Sequence, residues 1–298
     1  MSRLPAVGVR QAHPAQLESP YPRRRALVTL IATSGLGACA VVTDPVTDPD
    51  PSSRPAVGAP AAPSARPLLP PPALVPTSVG RLAVRDTGRQ GPQGEVIVLW
   101  PSILADHRIY RRQIEAWRDR HRLIVIDGPG HGHSAAAPGP FTMAQCAQAM
   151  AQVLDALDIR QPVVVLGTSW GGLVAGEFAI AQPHRTRAVV MLNTPVYTTP
   201  DGPGFSDRFV VWGARWIHRT GVYRDGVAKA CFLPATRESG GLLLQDFHRH
   251  LQEADGAALA LSVRAVLIER EALAPRMGRI AAPTLFVAGR HDAMYPHG

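Results

Sequence analysis

A serine with a glycine two residues to either side, Gly167-Thr168-Ser169-Trp170-Gly171, follows an apolar, β-branched run at 163–166 and leads directly into an apolar, helix-compatible run at 173–181. Strand, sharp turn and helix are the setting in which Gly-x-Ser-x-Gly presents a nucleophile. The serine of such a turn holds a strained backbone, and the two glycines lack the side chains that would collide as strand and helix close together. Ser169 then stands at a helix N-terminus, where backbone N–H groups and the helix dipole stabilise an oxyanion. The chemistry predicted is attack of a hydroxyl on a carbonyl. The pentapeptide alone is a weak signal in a chain with 27 glycines; its flanks give it weight.

The elements that must position this serine can be read along the chain. From Ser78 onward, short apolar strands alternate with helical patterns, as in βαβ units. Residues 80–85 read as an edge strand, 96–100 as a buried strand, and Asp106 opens a helix with Tyr110, Ile114 and Trp117 on one face. The next strand, 123–126, runs into Asp127-Gly128-Pro129-Gly130-His131-Gly132-His133-Ser134. Thr142 caps a helix on which Met143, Cys146, Met150, Val153 and Leu157 recur at helical spacing. After the strand at 188–192, strands vanish from 197 to about 273. Amphipathic stretches replace them, carrying Phe209, Trp212 and Trp216, then Leu243, Phe247 and Leu251, then Leu259, Val263, Val266 and Leu267. The strand pattern resumes at 284–288. Helices inserted at the C-terminal edge of a parallel sheet sit where such sheets bind ligands, so 197–273 is expected to be a cap over the site.

Composition narrows the function. At 298 residues with 46% apolar content, the chain holds one large α/β domain plus tails. The formal charge of +8 comes from 30 arginines and one lysine, Lys229, scattered rather than clustered. Nucleic-acid surfaces cluster their basic residues, so no nucleic-acid partner is expected. Cys39, Cys146 and Cys231 are too few and too widely spaced for a disulfide framework or a zinc site. His131 with His133, and His248 with His250, have no further ligands at zinc spacing; the second pair is expected on a solvated helix surface. No metal and no cofactor are expected.

The N-terminal part has a different character. The first 80 residues hold 15 of the 29 prolines, and proline resists both helix and sheet. Arg23-Arg24-Arg25 precedes an apolar stretch, 26–38, which ends in Leu36-Gly37-Ala38-Cys39. A basic region, an apolar region and small residues at a cleavage point describe a secretory signal. The Leu-Gly-Ala-Cys sequence resembles a bacterial lipobox, which implies lipid attachment at Cys39 and a membrane tether through it. The expected layout is a signal segment at 1–40, a Pro-rich linker at 41–79 and a folded domain at 80–298. Two other readings stay open: a start further into the chain, and a tail that is no signal at all. A transmembrane helix is disfavoured, because about 13 apolar residues are too short to span a bilayer. Localisation is therefore either the periplasm or outer surface, or the cytoplasm.

Over roughly 80–298 the chain resembles the α/β-hydrolase superfamily, in the subset with a helical cap that includes enol-lactonases, esterases, carbon–carbon bond hydrolases and non-haem haloperoxidases. The resemblance rests on Gly167-Thr168-Ser169-Trp170-Gly171-Gly172, on the turn Asp127–Ser134, and on Gly289-Arg290-His291-Asp292 followed by Pro296. It implies a mostly parallel, doubly wound sheet, Ser169 as nucleophile and Asp292 as the acid of a triad. Where the family has a His-Gly pair before an oxyanion donor, this chain has Trp100-Pro101. Proline has no N–H to give, so the expected donors are the backbone amides of Ser102 and Trp170. Pocket candidates are His107, Trp212 and Trp216. A serine rather than an aspartate at the turn disfavours the dehalogenase and epoxide-hydrolase branches.

The resemblance also implies a histidine beyond Asp292, after one more strand, to act as general base. The sequence runs six residues past Asp292, to Gly298. The expectation is a hydrolase read without its last strand, its closing helix and that histidine. His297 is a poor substitute, five residues from Asp292 on the same loop, while His131 and His133 read as structural. The expected function is hydrolysis of a small carboxylic ester or lactone, in a lineage whose activity this chain is expected to lack without that histidine; the alternatives are a tethered binding protein that keeps the fold without the triad, and a carbon–carbon bond hydrolase or haloperoxidase-type member. If the lipobox is genuine, the protein produced in a bacterium supplied with radiolabelled fatty acid incorporates label, and Cys39→Ser abolishes it. An unlabelled protein with an intact N-terminus by mass spectrometry refutes the tether.

Overall fold

The computed structural model describes residues 67–88, 94–198 and 202–289. Cys39, Asp292 and His297 lie outside them. Seven strands among the described residues form one sheet: β1 (Ala73–Thr77), β2 (Gly80–Asp86), β3 (Val96–Trp100), β4 (Arg122–Ile126), β5 (Val163–Thr168), β6 (Thr186–Leu192) and β7 (Thr284–Val287). Their order is β1-β2-β4-β3-β5-β6-β7. β2 pairs antiparallel with β1 and with β4, and every other pairing is parallel. The central strands β3, β4 and β5 are almost wholly buried, as continuous apolar runs must be when helices cover both faces of a parallel sheet.

The strand β1 lies inside the stretch expected as linker, 41–79, so the folded sheet begins earlier than the sequence predicted. Prolines hid it. Pro76 sits opposite Arg81 in the ladder with β2, and β1 has β2 as its single neighbour. An edge strand tolerates proline because one side of it donates to no other strand.

The helices follow their capping and periodic signals. Helix α1 (Arg111–Trp117) continues a 3₁₀ turn, His107–Tyr110, capped by the Asp106 carboxylate on the Arg108 amide at 2.9 Å. Tyr110, Ile114 and Trp117 are buried together as expected. Helix α2 (Met143–Ala156) begins with a reciprocal capping box between Thr142 and Gln145, which satisfies two otherwise orphaned donors. Helix α3 (Trp170–Ala181) is buried along nearly its whole length, matching its unbroken apolar sequence.

Between β6 and β7 come α4 (Phe205–Trp216), α5 (Gly221–Cys231), α6 (Pro234–Ser239), α7 (Leu242–Glu253) and α8 (Gly256–Leu267). These cap helices have a hydrophobic core of their own, built on Tyr223, Phe247, Leu251, Leu259 and Val263, distinct from the core packed against the sheet. Two sequence expectations fail in the cap. Phe209, Trp212 and Trp216 face solvent, and α4 buries Gly213 and Ala214 instead. On α7 it is Leu244, not Leu243, that joins Phe247 and Leu251 inside. In both cases the helical period was right and the face turned inward was set by neighbours distant in sequence. At the other end, β7 pairs with β6 and leaves Phe286 42% exposed.

Candidate active site

Ser169 sits between β5 and α3 with φ of +52° and ψ of −109°. A non-glycine residue at positive φ stores strain of about 1–3 kcal/mol that the surroundings must hold. Here they do so by close packing of three backbones. A Cβ on Gly167 would fall on the carbonyl of Gly171, and a Cβ on Gly171 would fall on the carbonyl of Trp100. Only glycine lets the β5 turn, the start of α3 and the exit from β3 share this space. The Ser169 amide is fixed by the Leu192 carbonyl at 2.8 Å.

The same contact brings the Trp100-Pro101-Ser102 turn against the first turn of α3. Among the described residues, the amides of Ser102 and Trp170 donate to no other group. Unspent donors at a helix start are ready for an anion. The Trp170 side chain points inward, buried edge-on to Trp100 at 5.6 Å between ring centroids and lying near Phe141 and His131. The space it fills is left by Gly128, where any side chain would meet its ring.

Tyr110 joins the two halves of this site. Its buried hydroxyl donates to the Trp100 carbonyl at 2.7 Å and lies 3.0 Å from Thr168 Oγ1, one residue before Ser169. With the phenol proton on Trp100, Thr168 is the donor of the second bond. Burial pushes the phenol pKa far up, so the donor stays protonated. On the far side, Asn193 at φ of +44° accepts from the Gly289 amide at 2.8 Å, and its own amide donates to Val287 at 2.7 Å. It thereby fixes the exit from β7, which leads toward Asp292.

The turn after β4 is organised by Asp127. Its carboxylate is fully buried and accepts from Arg85 at 3.0 Å, from the His107 amide at 2.8 Å, from His107 Nδ1 at 3.0 Å and from the His133 amide at 3.2 Å. Burial disfavours its charge, but the hydrogen bond from His107 and the nearby positive groups outweigh this and hold its pKa below the ordinary value. His107, expected as a pocket residue, is thus a partner of Asp127. His107, Asp127 and His133 bring ligand atoms within 4.8 Å of one another, a spacing that suits a metal ion. Arg85 already supplies the cation: it also donates to His133 Nδ1 at 2.9 Å. The donors therefore face a guanidinium, and the His107 nitrogen facing Asp127 carries a proton.

His131 is buried with its tautomer set on both sides: Nδ1–H donates to the Pro129 carbonyl at 3.0 Å, and Nε2 accepts from the Leu104 amide at 3.1 Å. Burial first, and the neighbouring His250 second, push its pKa down to about 3. His250 stacks on it at 5.1 Å and approaches Asp106 at 3.5 Å. This corrects the expectation of a solvated His250, which is 2% exposed: α7 turns this histidine inward to meet a carboxylate from the sheet side. Asp106 also binds Arg108, which reaches Glu253 at 2.9 Å, and Arg111 meets Asp246 at 3.0 Å. A seam of ion pairs therefore fastens α7 to the segment just after the Ser102 turn.

Trp212 and Trp216, the other expected pocket residues, are 50% and 66% exposed. The structure brings Ser169, Ser102 and Trp170 together. Tyr110, Asn193 and Arg85 had no sequence signal, because each acts through partners tens of residues away.

A family described as the alpha/beta hydrolase fold matches residues 95–298. The chain belongs to the α/β-hydrolase family. It is a hydrolase of that class, by its kinship with known members. It is 29% identical over 190 residues to a protein named as the carbamate hydrolase RutD of Azorhizobium caulinodans, covering 63% of this chain and 69% of that one. A 3-oxoadipate enol-lactonase of Acinetobacter baylyi is 27% identical over 188 residues, covering 62% of this chain and 66% of the relative. Among solved structures, a hydrolase of Pseudomonas aeruginosa PA01 superimposes with a TM-score of 0.67 at 26% identity, covering 76% and 82% of the two chains.

The neutral state of His131 makes stability depend on pH. Unfolded, the imidazole takes up a proton near 6.5; folded, it does so only near 3. As pH falls below 6.5 the unfolded state binds the extra proton, so stability drops by up to about 1.4 kcal/mol per pH unit for this group. Denaturant titrations from pH 7 to 4.5 should show His131→Asn with a shallower slope than the parent, by about one proton. Equal slopes would mean that His131 is charged in the folded protein.

Proposed function

We propose that this protein hydrolyses a small carboxylic ester or lactone through an acyl-enzyme on Ser169. The observation that carries the reading is the strained, glycine-flanked Ser169 beside two amides, of Ser102 and Trp170, with no other partner among the described residues. Ser169 Oγ attacks the carbonyl carbon, and the two amides receive the oxyanion, where preorganised donors act most strongly. The alcohol leaves with the proton that a general base removed from Ser169; in a lactone it stays tethered to the acyl group. Water, activated by the same base, then releases the acid. In the family the base is a histidine that follows the acid in chain order, and Asp292 is assigned to orient it. Carbamate hydrolase and enol-lactonase relatives support a carbonyl with an oxygen or nitrogen leaving group. A thermophilic esterase of Thermogutta terrifontis and an N-acyl homoserine lactonase share the fold.

A fluorophosphonate probe should label the full-length protein, and Ser169→Ala should abolish labelling while lowering kcat/KM on short-chain p-nitrophenyl esters by about 10⁴-fold or more. Labelling that survives the substitution removes Ser169 from the mechanism. A protein that folds normally yet neither labels nor turns over any ester or lactone favours the binding-protein reading. Tyr110→Phe leaves the Trp100 carbonyl and Thr168 short of a bond. It should reduce kcat about 5- to 30-fold with little change in KM, because each of the two lost bonds costs up to about 1 kcal/mol of positioning; an unchanged kcat would show that the clamp is not used.

A further inference from the structure

Four exposed aromatic side chains lie on one helix. Phe205, Phe209, Trp212 and Trp216 of α4 are 84%, 45%, 50% and 66% exposed. Their spacing of four, three and four residues puts them in one stripe. The rings touch in sequence, with Phe205 6.5 Å from Phe209 and Phe209 5.7 Å from Trp212 between centroids. The opposite side of the helix, with the fully buried Ala214, packs on α8, and Gly213 on the flank meets Tyr223.

One edge of the stripe is basic. Arg208 and Arg215 are exposed and lie three or four residues from Trp212. Arg215 stands over the Trp216 ring at 5.0 Å. Asp207, the one acidic residue of α4, lies about half a turn away from the stripe and is engaged by the Gly204 amide at 2.8 Å.

From this we infer that α4 is an interfacial helix that seats the cap on an anionic phospholipid surface. Aromatic rings with arginines beside them match the layering of a bilayer interface: rings at the level of the headgroups and acyl chains, guanidiniums on lipid phosphates. A second copy of the chain is a poor occupant. The stripe offers roughly 500 Å², short of the roughly 800 Å² per partner of a stable dimer, and two-fold pairing would set the arginine edges close together. No helix among the described residues is long and apolar enough to cross a membrane, and the inference requires none. It is also independent of Cys39 and of Ser169.

The test uses the full-length protein with Cys39→Ser, so that no acyl chain contributes to binding. It should co-sediment with vesicles of phosphatidylcholine containing roughly 30% phosphatidylglycerol, bind pure phosphatidylcholine far more weakly and dissociate as salt is raised. Phe209→Ser with Trp212→Ser and Trp216→Ser should weaken binding about 10-fold or more, and Arg208→Glu with Arg215→Glu should remove the preference for anionic vesicles. Brominated lipids should quench the unmodified protein's fluorescence through Trp212 and Trp216, since Trp100, Trp117 and Trp170 are buried; this measurement needs no variant. Absence of vesicle binding or of quenching overturns the inference. So does equal binding to neutral vesicles, unchanged binding by the triple variant, or a dimer that the triple variant converts to monomer.

Discussion

The structure depends on one steric constraint: three stretches of backbone meet where no side chain fits. Gly167 and Gly171 let the end of β5, the start of α3 and the carbonyl of Trp100 come into contact. Ser169 is locked at positive φ by that contact, and the Ser102 turn is drawn against the helix start. A methyl group at either glycine would force the three segments apart. The serine would then have no reason to keep its strain, and the two amides would separate.

A second organising centre, at Asp127, works by charge rather than by sterics. A buried carboxylate is costly unless surrounded by donors, and Asp127 has donors from β2, from the segment after β3 and from its own turn. Gly132 has no Cβ because the carboxylate occupies that space. The turn so fixed presents Pro129 to Ser262 of α8, whose hydroxyl donates to its carbonyl at 2.7 Å, and Gly130 to the backbone of Ala258. The carboxylate thus sets the platform on which the cap rests. The ion pairs of Asp106, Arg108 and Arg111 with α7 fasten the cap a few residues from the Ser102 turn.

Much of this was legible in the sequence, and the parts that were not share a cause. The strands β3 to β7 announce themselves as short apolar runs, the elbow by its glycines, and α2 by Thr142. Those signals are local. The strand β1 was hidden by prolines that an edge position tolerates. The periodicity of α4 showed an aromatic stripe without showing that it faces outward, and His250 reads as a surface residue until Asp106 is placed beside it. Tyr110 looked like one more core residue of its helix; only the fold reveals that its hydroxyl ties Trp100 to Thr168. Sequence patterns report which residues share a face, not what that face meets.

Leu104 gives the cap a part in the readiness of the site. It lies two residues beyond Ser102 with φ of +62°, a conformation that costs a branched residue energy. Its amide is held by His131, and its side chain is buried in the cap's own core with Leu251 and Leu259. That packing adds to the hydrogen bonds that hold the turn, from the Leu104 amide to His131 and from the Ala105 amide to the Ser102 carbonyl at 3.3 Å. The cap core and the Ser102 turn are therefore one packing unit: a change that loosens the core around Leu251 and Leu259 removes support from the strained backbone two residues past Ser102.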